Sequence, residues 1–273
     1  MSTTSNGDVE LYFETFGSDA DPTLLLVNGL GSQCINYAVE WCERFASRGY
    51  RVVRFDNRDT GLSSKLDGRG YLLWDMALDA VAVLDAVGVE RAHVLGVSMG
   101  GMIVQSLAIS HPERVRTMTS VMSHTGEVAY GRASPAALAA LTAPPPTSRA
   151  EYIERRVEAI AIYGSKPEWV DEAAVRATAA AAYDRCFCPE GQARQLVAIQ
   201  QSGDRGDVLP ALRVPTLVMH GSRDTLVDPS GGRRTAELVP GARYVEIDGM
   251  GHDYPRVLWD RWIDEWLTLA QGS

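Results

Sequence analysis

Apolar and polar positions along the chain follow two rhythms. Val9 to Phe16 alternates and predicts a strand or hairpin arm. Thr23 to Val27 is a short unbroken apolar run entering the turn Asn28-Gly29-Leu30-Gly31, which predicts a strand buried on both faces. Ile35 to Arg48 has helical spacing, with Val39, Cys42 and Phe45 near one face, and Gly49 stops it. Arg51 to Phe55 predicts the next strand. Trp74 to Val87 carries apolar residues at 74, 78, 81, 84 and 87, which predicts a helix ended by Gly88. His93 to Val97 as strand, Met99 to Ile109 as helix and Val115 to Met122 as strand continue the alternation.

The rhythm then breaks. Gly126 to Ser148 is rich in Ala and Pro, with Pro144-Pro145-Pro146 as a stiff connector. Arg149 to Ser202 reads as helix with no clear strand. Alternation resumes with Thr216 to His220 (strand), Ser230 to Val239 (helix), Ala242 to Ile247 (strand) and Val257 to Ala270 (helix). Residues 1–123 and 207–273 therefore predict one α/β core with a parallel sheet, and 124–206 a helical insert that would roof a pocket. There are no internal repeats.

Composition narrows the function classes. The chain has 273 residues with 45% hydrophobic and 22% charged, a globular balance that rules out a disordered chain. Its formal charge is −9, without a basic stripe or Lys/Arg run, which argues against nucleic-acid partners. Apolar runs such as Leu24 to Val27 are far short of the roughly 20 residues a bilayer needs, so no membrane partner is expected. Met1 to Asp8 is polar and no signal peptide is readable in it, so a cytoplasmic protein is expected. Cys34, Cys42, Cys186 and Cys188 form no Cys-x-x-Cys pair and have no histidine at finger spacing. They are read as free thiols, with no metal expected. A homodimer, through the insert or the sheet edge, is left open.

Gly96-Val97-Ser98-Met99-Gly100 carries the chemistry. The string recurs by chance in a glycine-rich chain, so its context is what counts: it follows an apolar strand and opens a helix. A turn that sharp strains the serine backbone, and a side chain two residues to either side would collide, hence glycine at both. Ser98 is thus the candidate nucleophile, lifted above the carboxyl edge of the sheet. Its hydroxyl needs a base. Of five histidines, His93 lies within a strand and reads as core, His111 ends a helix, and His220 ends a strand and reads as structural. His124 opens the insert and reads as pocket lining. His252, in the flexible loop Gly249-Met250-Gly251-His252 after a strand, reads as the base. Asp224, three residues past the strand ending at His220, reads as the acid that orients it, in the order Ser98, Asp224, His252. Asp228 is the rival, but it precedes Pro229 and reads as a helix cap. Asp248 and Asp253 flank the His252 loop too closely to reach around its ring. The oxyanion donors are assigned to the backbone N–H groups of Met99 and Leu30. Met122, His124 and Met250 are the expected substrate contacts, and Met122, Tyr130, Leu138, Leu141 and Trp169 suggest an apolar substrate.

Asp56-Asn57-Arg58-Asp59-Thr60-Gly61-Leu62-Ser63, with Gly96-Val97-Ser98-Met99-Gly100-Gly101, resembles the serine hydrolases of the α/β-hydrolase fold, in the branch of aclacinomycin methylesterase and related carboxylesterases. The resemblance spans nearly the whole chain. It implies an eight-stranded core, a helical lid between the sixth and seventh strands, the triad named above, a structural turn at 56–63, and no cofactor. Many members of that family carry His-Gly where this chain has Asn28-Gly29, so the side-chain support of the oxyanion loop must differ. A serine nucleophile argues against dehalogenase or epoxide hydrolase chemistry. The expected reaction is hydrolysis of a small-molecule carboxylic ester, methyl or short-chain, through an acyl-enzyme. Carbon–carbon, amide or thioester hydrolysis and perhydrolysis by the same triad stay open, as does a non-catalytic receptor on the same fold.

Overall fold

The computed structural model describes residues 2–272. Its strands are β1 (Ser2–Asn6), β2 (Val9–Phe16), β3 (Thr23–Val27), β4 (Arg51–Phe55), β5 (Ala92–Val97), β6 (Val115–Val121), β7 (Thr216–Gly221) and β8 (Arg243–Ile247). They form one sheet in the order β1-β2-β4-β3-β5-β6-β7-β8. The β1–β2 and β2–β4 pairings are antiparallel, and every pairing from β4 to β8 is parallel. The register aligns the strand ends. Val27 faces Gly96, Val97 faces Val121, Val121 faces Met219, and Gly221 faces Ile247. The loops after β3, β5, β7 and β8 therefore leave the sheet along one carboxyl edge, where α/β sheets hold their ligands.

Helices α1 (Val39–Ala46), α2 (Leu73–Ala86) and α3 (Met99–Ser110) belong to the first half of the core, α8 (Ser230–Leu238) and α9 (Trp259–Ala270) to the second. Strand alternation sends Leu25, Val27, Val53 and Val94 into one apolar cluster with α2 and α3. Leu24, Leu26, Val52 and Leu95 go to the opposite cluster with α1 and α9. Both faces are covered, so β3, β5 and β7 are buried along their whole length, as their unbroken apolar runs require. Four helices separate β6 from β7, with no strand among them: α4 (Pro135–Leu141), α5 (Arg149–Tyr163), α6 (Glu172–Arg185) and α7 (Pro189–Gln201). Ser134, Ser148 and Asp171 cap the first three by accepting an N–H in the first turn.

Three expectations are corrected. Ser2–Asn6, read only as a polar terminus, pairs with β2 through a two-residue turn in which Gly7 takes φ 62°. An exposed edge strand needs no apolar alternation, so only the Asn6-Gly7-Asp8 turn signals it. Helix α1 starts four residues later than its periodicity suggests, after a 3-10 turn at Cys34–Asn36. It buries Trp41, Cys42 and Phe45 and leaves Val39 exposed. On α2 the buried face is Leu73, Met76, Ala77, Ala80, Val83 and Leu84, and Leu78 is exposed. That helix is apolar almost all round, so spacing alone does not fix which stripe faces the sheet. Its buried Asp79 does, because it pairs with buried Arg58 at 2.6 Å.

Candidate active site

Ser98 stands between β5 and α3 at φ 57°, ψ −119°. Such a backbone costs a non-glycine residue roughly 1–3 kcal/mol and persists only when its surroundings enforce it. The enforcement is visible. A Cβ on Gly96 would lie 2.0 Å from Gly100 O, and one on Gly100 would lie 2.1 Å from Val27 O. Both glycines of the motif are thus steric requirements, as expected. Ser98 N–H is held by Val121 O at 2.8 Å, and Ser98 is only half-buried.

The turn after β3 lies against this elbow: a Cβ on Gly29 would come 3.3 Å from Ser98 Cβ. Asn28 braces the turn, its amide donating to Phe55 O at 3.3 Å while its own carbonyl accepts from Asn57 Nδ2 at 3.0 Å. Here is the different side-chain support that the Asn28-Gly29 pair demanded. Among the described residues, the N–H groups of Leu30 and Met99 donate to no other group of the protein. They are free for a ligand oxygen, and Met99 starts a helix whose dipole favours negative charge there.

Asp224 and His252 are joined, Oδ2 to Nδ1, at 2.7 Å. Asp224 is buried, and its other oxygen accepts the N–H groups of Leu226 and Val227, each at 2.9 Å. Burial pushes this carboxyl up, but the charge of His252 and the hydrogen bonds of His220 and His252 outweigh it and hold it at about 2. The carboxylate is therefore ionised and fixes a proton on Nδ1, leaving Nε2 of His252 to act. Ser98 Oγ has no hydrogen-bond partner among the described residues, and the hydrogen bond His252 does make runs from its other nitrogen to Asp224. Links between a nucleophile and its base commonly tighten only with substrate bound.

The histidine loop is pinned rather than flexible. His252 N–H donates to Tyr163 O at 2.7 Å and Gly251 N–H to Ser165 Oγ at 3.0 Å. A Cβ on Gly251 would lie 2.1 Å from the Gly164 carbonyl carbon. Gly251 lets two backbones touch, a use that composition does not reveal. Tyr163 also sets its ring edge-on to His252 at 6.0 Å.

His220 has a larger place than the sequence suggested. It is fully buried, with Nε2 2.8 Å from Val227 O and 3.2 Å from Asp224 Oδ2. A carbonyl only accepts, so Nε2 carries the proton and can serve both oxygens. Its spacing of four residues from Asp224 was the available signal. Asp228 accepts Ser230 N–H at 2.9 Å ahead of α8, whose N-cap is Pro229 rather than Asp228, and Asp253 is taken by Ser165. His93 is core, bonded to Thr117 Oγ1 at 2.8 Å. His124 is half-buried, and its ring nitrogen accepts Gly126 N–H at 2.9 Å. Met122 and Met250 differ from expectation: both are fully buried in the α1/α9 cluster, and Met250 Sδ accepts the indole N–H of Trp262 at 3.3 Å. With no accessible surface, they support the site loops rather than face a substrate. Among the described residues there is no cluster that could hold a metal ion and no helix long and apolar enough to cross a membrane.

The chain belongs to the α/β hydrolase fold family, whose model matches residues 22–148, the span holding the Asn28 turn and the Ser98 elbow. Rhodomycin D methylesterase DauP of Streptomyces sp. (strain C5) is 34% identical to it over 271 residues, covering 91% of this chain and 90% of that one. Rhodomycin D methylesterase DnrP of Streptomyces peucetius is 33% identical, covering 92% and 91%. Among solved structures, the enol-lactonase from Burkholderia xenovorans LB400 superimposes with a TM-score of 0.77 at 24% identity, over 97% of this chain and 99% of that chain. That likeness shows the fold.

Proposed function

We propose that the protein is a carboxylic ester hydrolase that works through an acyl-enzyme on Ser98. The observation that carries this reading is the 2.7 Å Asp224–His252 pair on the same sheet edge as the strained Ser98. Ser98 Oγ attacks the ester carbonyl carbon as its proton passes to His252 Nε2. The carbonyl oxygen becomes an oxyanion that takes hydrogen bonds from Leu30 N–H and Met99 N–H, each worth roughly 2.7–4 kcal/mol of barrier. His252 returns the proton to the leaving alcohol. Water, deprotonated by the same imidazole, then attacks the acyl-enzyme and releases the acid and free Ser98.

The methylesterase relatives favour a methyl ester, and the insert 124–206 is read as the lid that selects it, with His124 as a wall. The unpaired cysteines, two buried and two partly buried, fit a cytoplasmic setting. The test compares wild type with Ser98→Ala on p-nitrophenyl butyrate and on methyl esters, following methanol release. Wild type turns over and Ser98→Ala does not. Equal rates for the two would overturn the assignment.

A further inference from the structure

The insert helix α7 reaches the catalytic edge at a point that a specificity lid does not need to touch. Gln195 is fully buried. Its Oε1 accepts Gly31 N–H at 2.8 Å, and its Nε2 donates to Arg58 O at 2.8 Å. The same helix is locked beside that contact. Arg194 binds Asp59 through Nε and Nη2 at 2.9 and 2.7 Å. A Cβ on Gly191 would lie 2.2 Å from Asp59 O, so helix and loop meet backbone to backbone.

Gly31 follows Leu30, one of the two amides read above as oxyanion donors. Gly29 O is held by Ser32 N–H at 3.2 Å. In a trans peptide the carbonyl and the N–H point opposite ways, so this bond turns Leu30 N–H outward. The next peptide is free to rotate only as far as Gly31 allows, and Gly31 sits at φ 64°, a conformation glycine adopts without cost. A turn flanked by Gly29 and Gly31 has little intrinsic stiffness. Gln195 supplies it by fixing the Gly31 amide to an acceptor that is itself tied to Arg58 O.

We infer that Gln195 is a positioning residue of the oxyanion hole, holding the Leu30 amide in place from the insert. The inference rests on the ester hydrolase reading, because it concerns the turn that would meet the oxyanion. Preorganised donors stabilise a transition state only while they need no rearrangement. Loss of the Gln195 contact then lowers turnover and leaves ground-state binding nearly intact.

The test uses Gln195→Met, which keeps the side-chain length and removes both hydrogen bonds, on p-nitrophenyl butyrate. The expected result is a fall in kcat of about tenfold or more, with KM within about twofold of wild type. A trifluoromethyl ketone, which forms a tetrahedral adduct on the serine, loses affinity by a similar factor. Arg194→Gln is the control for mere anchoring of α7: it lowers Tm and leaves kcat within about twofold. If Gln195→Met keeps the wild-type kcat per titrated active site, the inference is wrong. Should that variant not fold, amide hydrogen exchange of the wild-type protein decides. Gly31 N–H is expected to be protected, and Leu30 N–H to become protected only on adding the ketone; rapid exchange at Gly31 overturns the inference. A wild type no more active than Ser98→Ala instead defeats the hydrolase reading itself, so the two failures are separable.

Discussion

Asp224 is the residue on which the site's electrostatics converge. Four donors meet its two oxygens: the Leu226 and Val227 amides, His252 and His220. Replacing it by Asn offers the imidazole an amide and unfixes the tautomer, so kcat should fall by about 10⁴-fold with little change in KM, measured on the ester that wild type prefers. His220→Leu removes one donor to Asp224 and leaves Val227 O buried without its partner. A loss of roughly 1–3 kcal/mol in urea unfolding is expected, with a fall in kcat of about tenfold. Much of this residue-scale picture is legible in the sequence, because the proposed nucleophile, base and acid, Ser98, His252 and Asp224, each follow a strand that the pattern marks. His220 is the exception. A histidine ending a strand looks structural until the fold brings its ring to Asp224. Met122 and Met250 are exceptions of the opposite kind. They lie beside the site in sequence, but in the loops after β6 and β8 their side chains are buried in the core.

At the scale of elements, strands were easier to read than helices. A parallel strand covered on both faces must be apolar throughout, and β3, β5 and β7 announce themselves so. Helix α2 is apolar nearly all round, and its phase depends on the Arg58–Asp79 pair, a contact with a distant loop that no local window contains. Asp79→Ala would leave the buried Arg58 guanidinium without its countercharge and should cost about 3–5 kcal/mol, read from the shift in urea midpoint. Helix α9 is the contrasting case. Its strong amphipathic stripe places Trp259, Trp262 and Trp266 against the sheet, and Trp266 meets Phe45 edge-on at 5.1 Å. Arg185 of α6 and Arg194 of α7 are the hardest side chains to place from the sequence. Their partners, Asp56 and Asp59, are well over a hundred residues away and lie in a turn that looked merely structural.

For the whole molecule, the buried histidines set how stability responds to acid. Burial lowers His93 to about 4, with Arg116 adding to it. Burial does the same to His124, also to about 4, helped by the charges of Arg205 and His220. Both are neutral in the folded protein and take up protons near pH 6.5 once unfolded. Their contribution is therefore fully present above about pH 6.5 and declines as pH falls toward 4. Urea midpoints measured between pH 7.5 and 4 should drop across that window, and His93→Gln should flatten part of the slope. An unchanged midpoint from pH 7 to 4.5 would contradict the neutral burial of both rings. The formal charge of −9 acts in the other direction, since protonating carboxylates relieves self-repulsion.

The backbone contact between Gly164 and Gly251 bears on how this scaffold could be re-engineered. The far end of α5 grips the histidine loop there, while α7 grips the turn after β3 through Gln195. Exchanging the entire 124–206 segment for that of another hydrolase would carry away both grips. Chimeras should instead splice after Ser165 and ahead of Gly191, so that the recombined portion lies between two native anchors. A library built on those junctions should keep most members catalytically competent, whereas grafts cut at the strand boundaries should fold and yet turn over poorly.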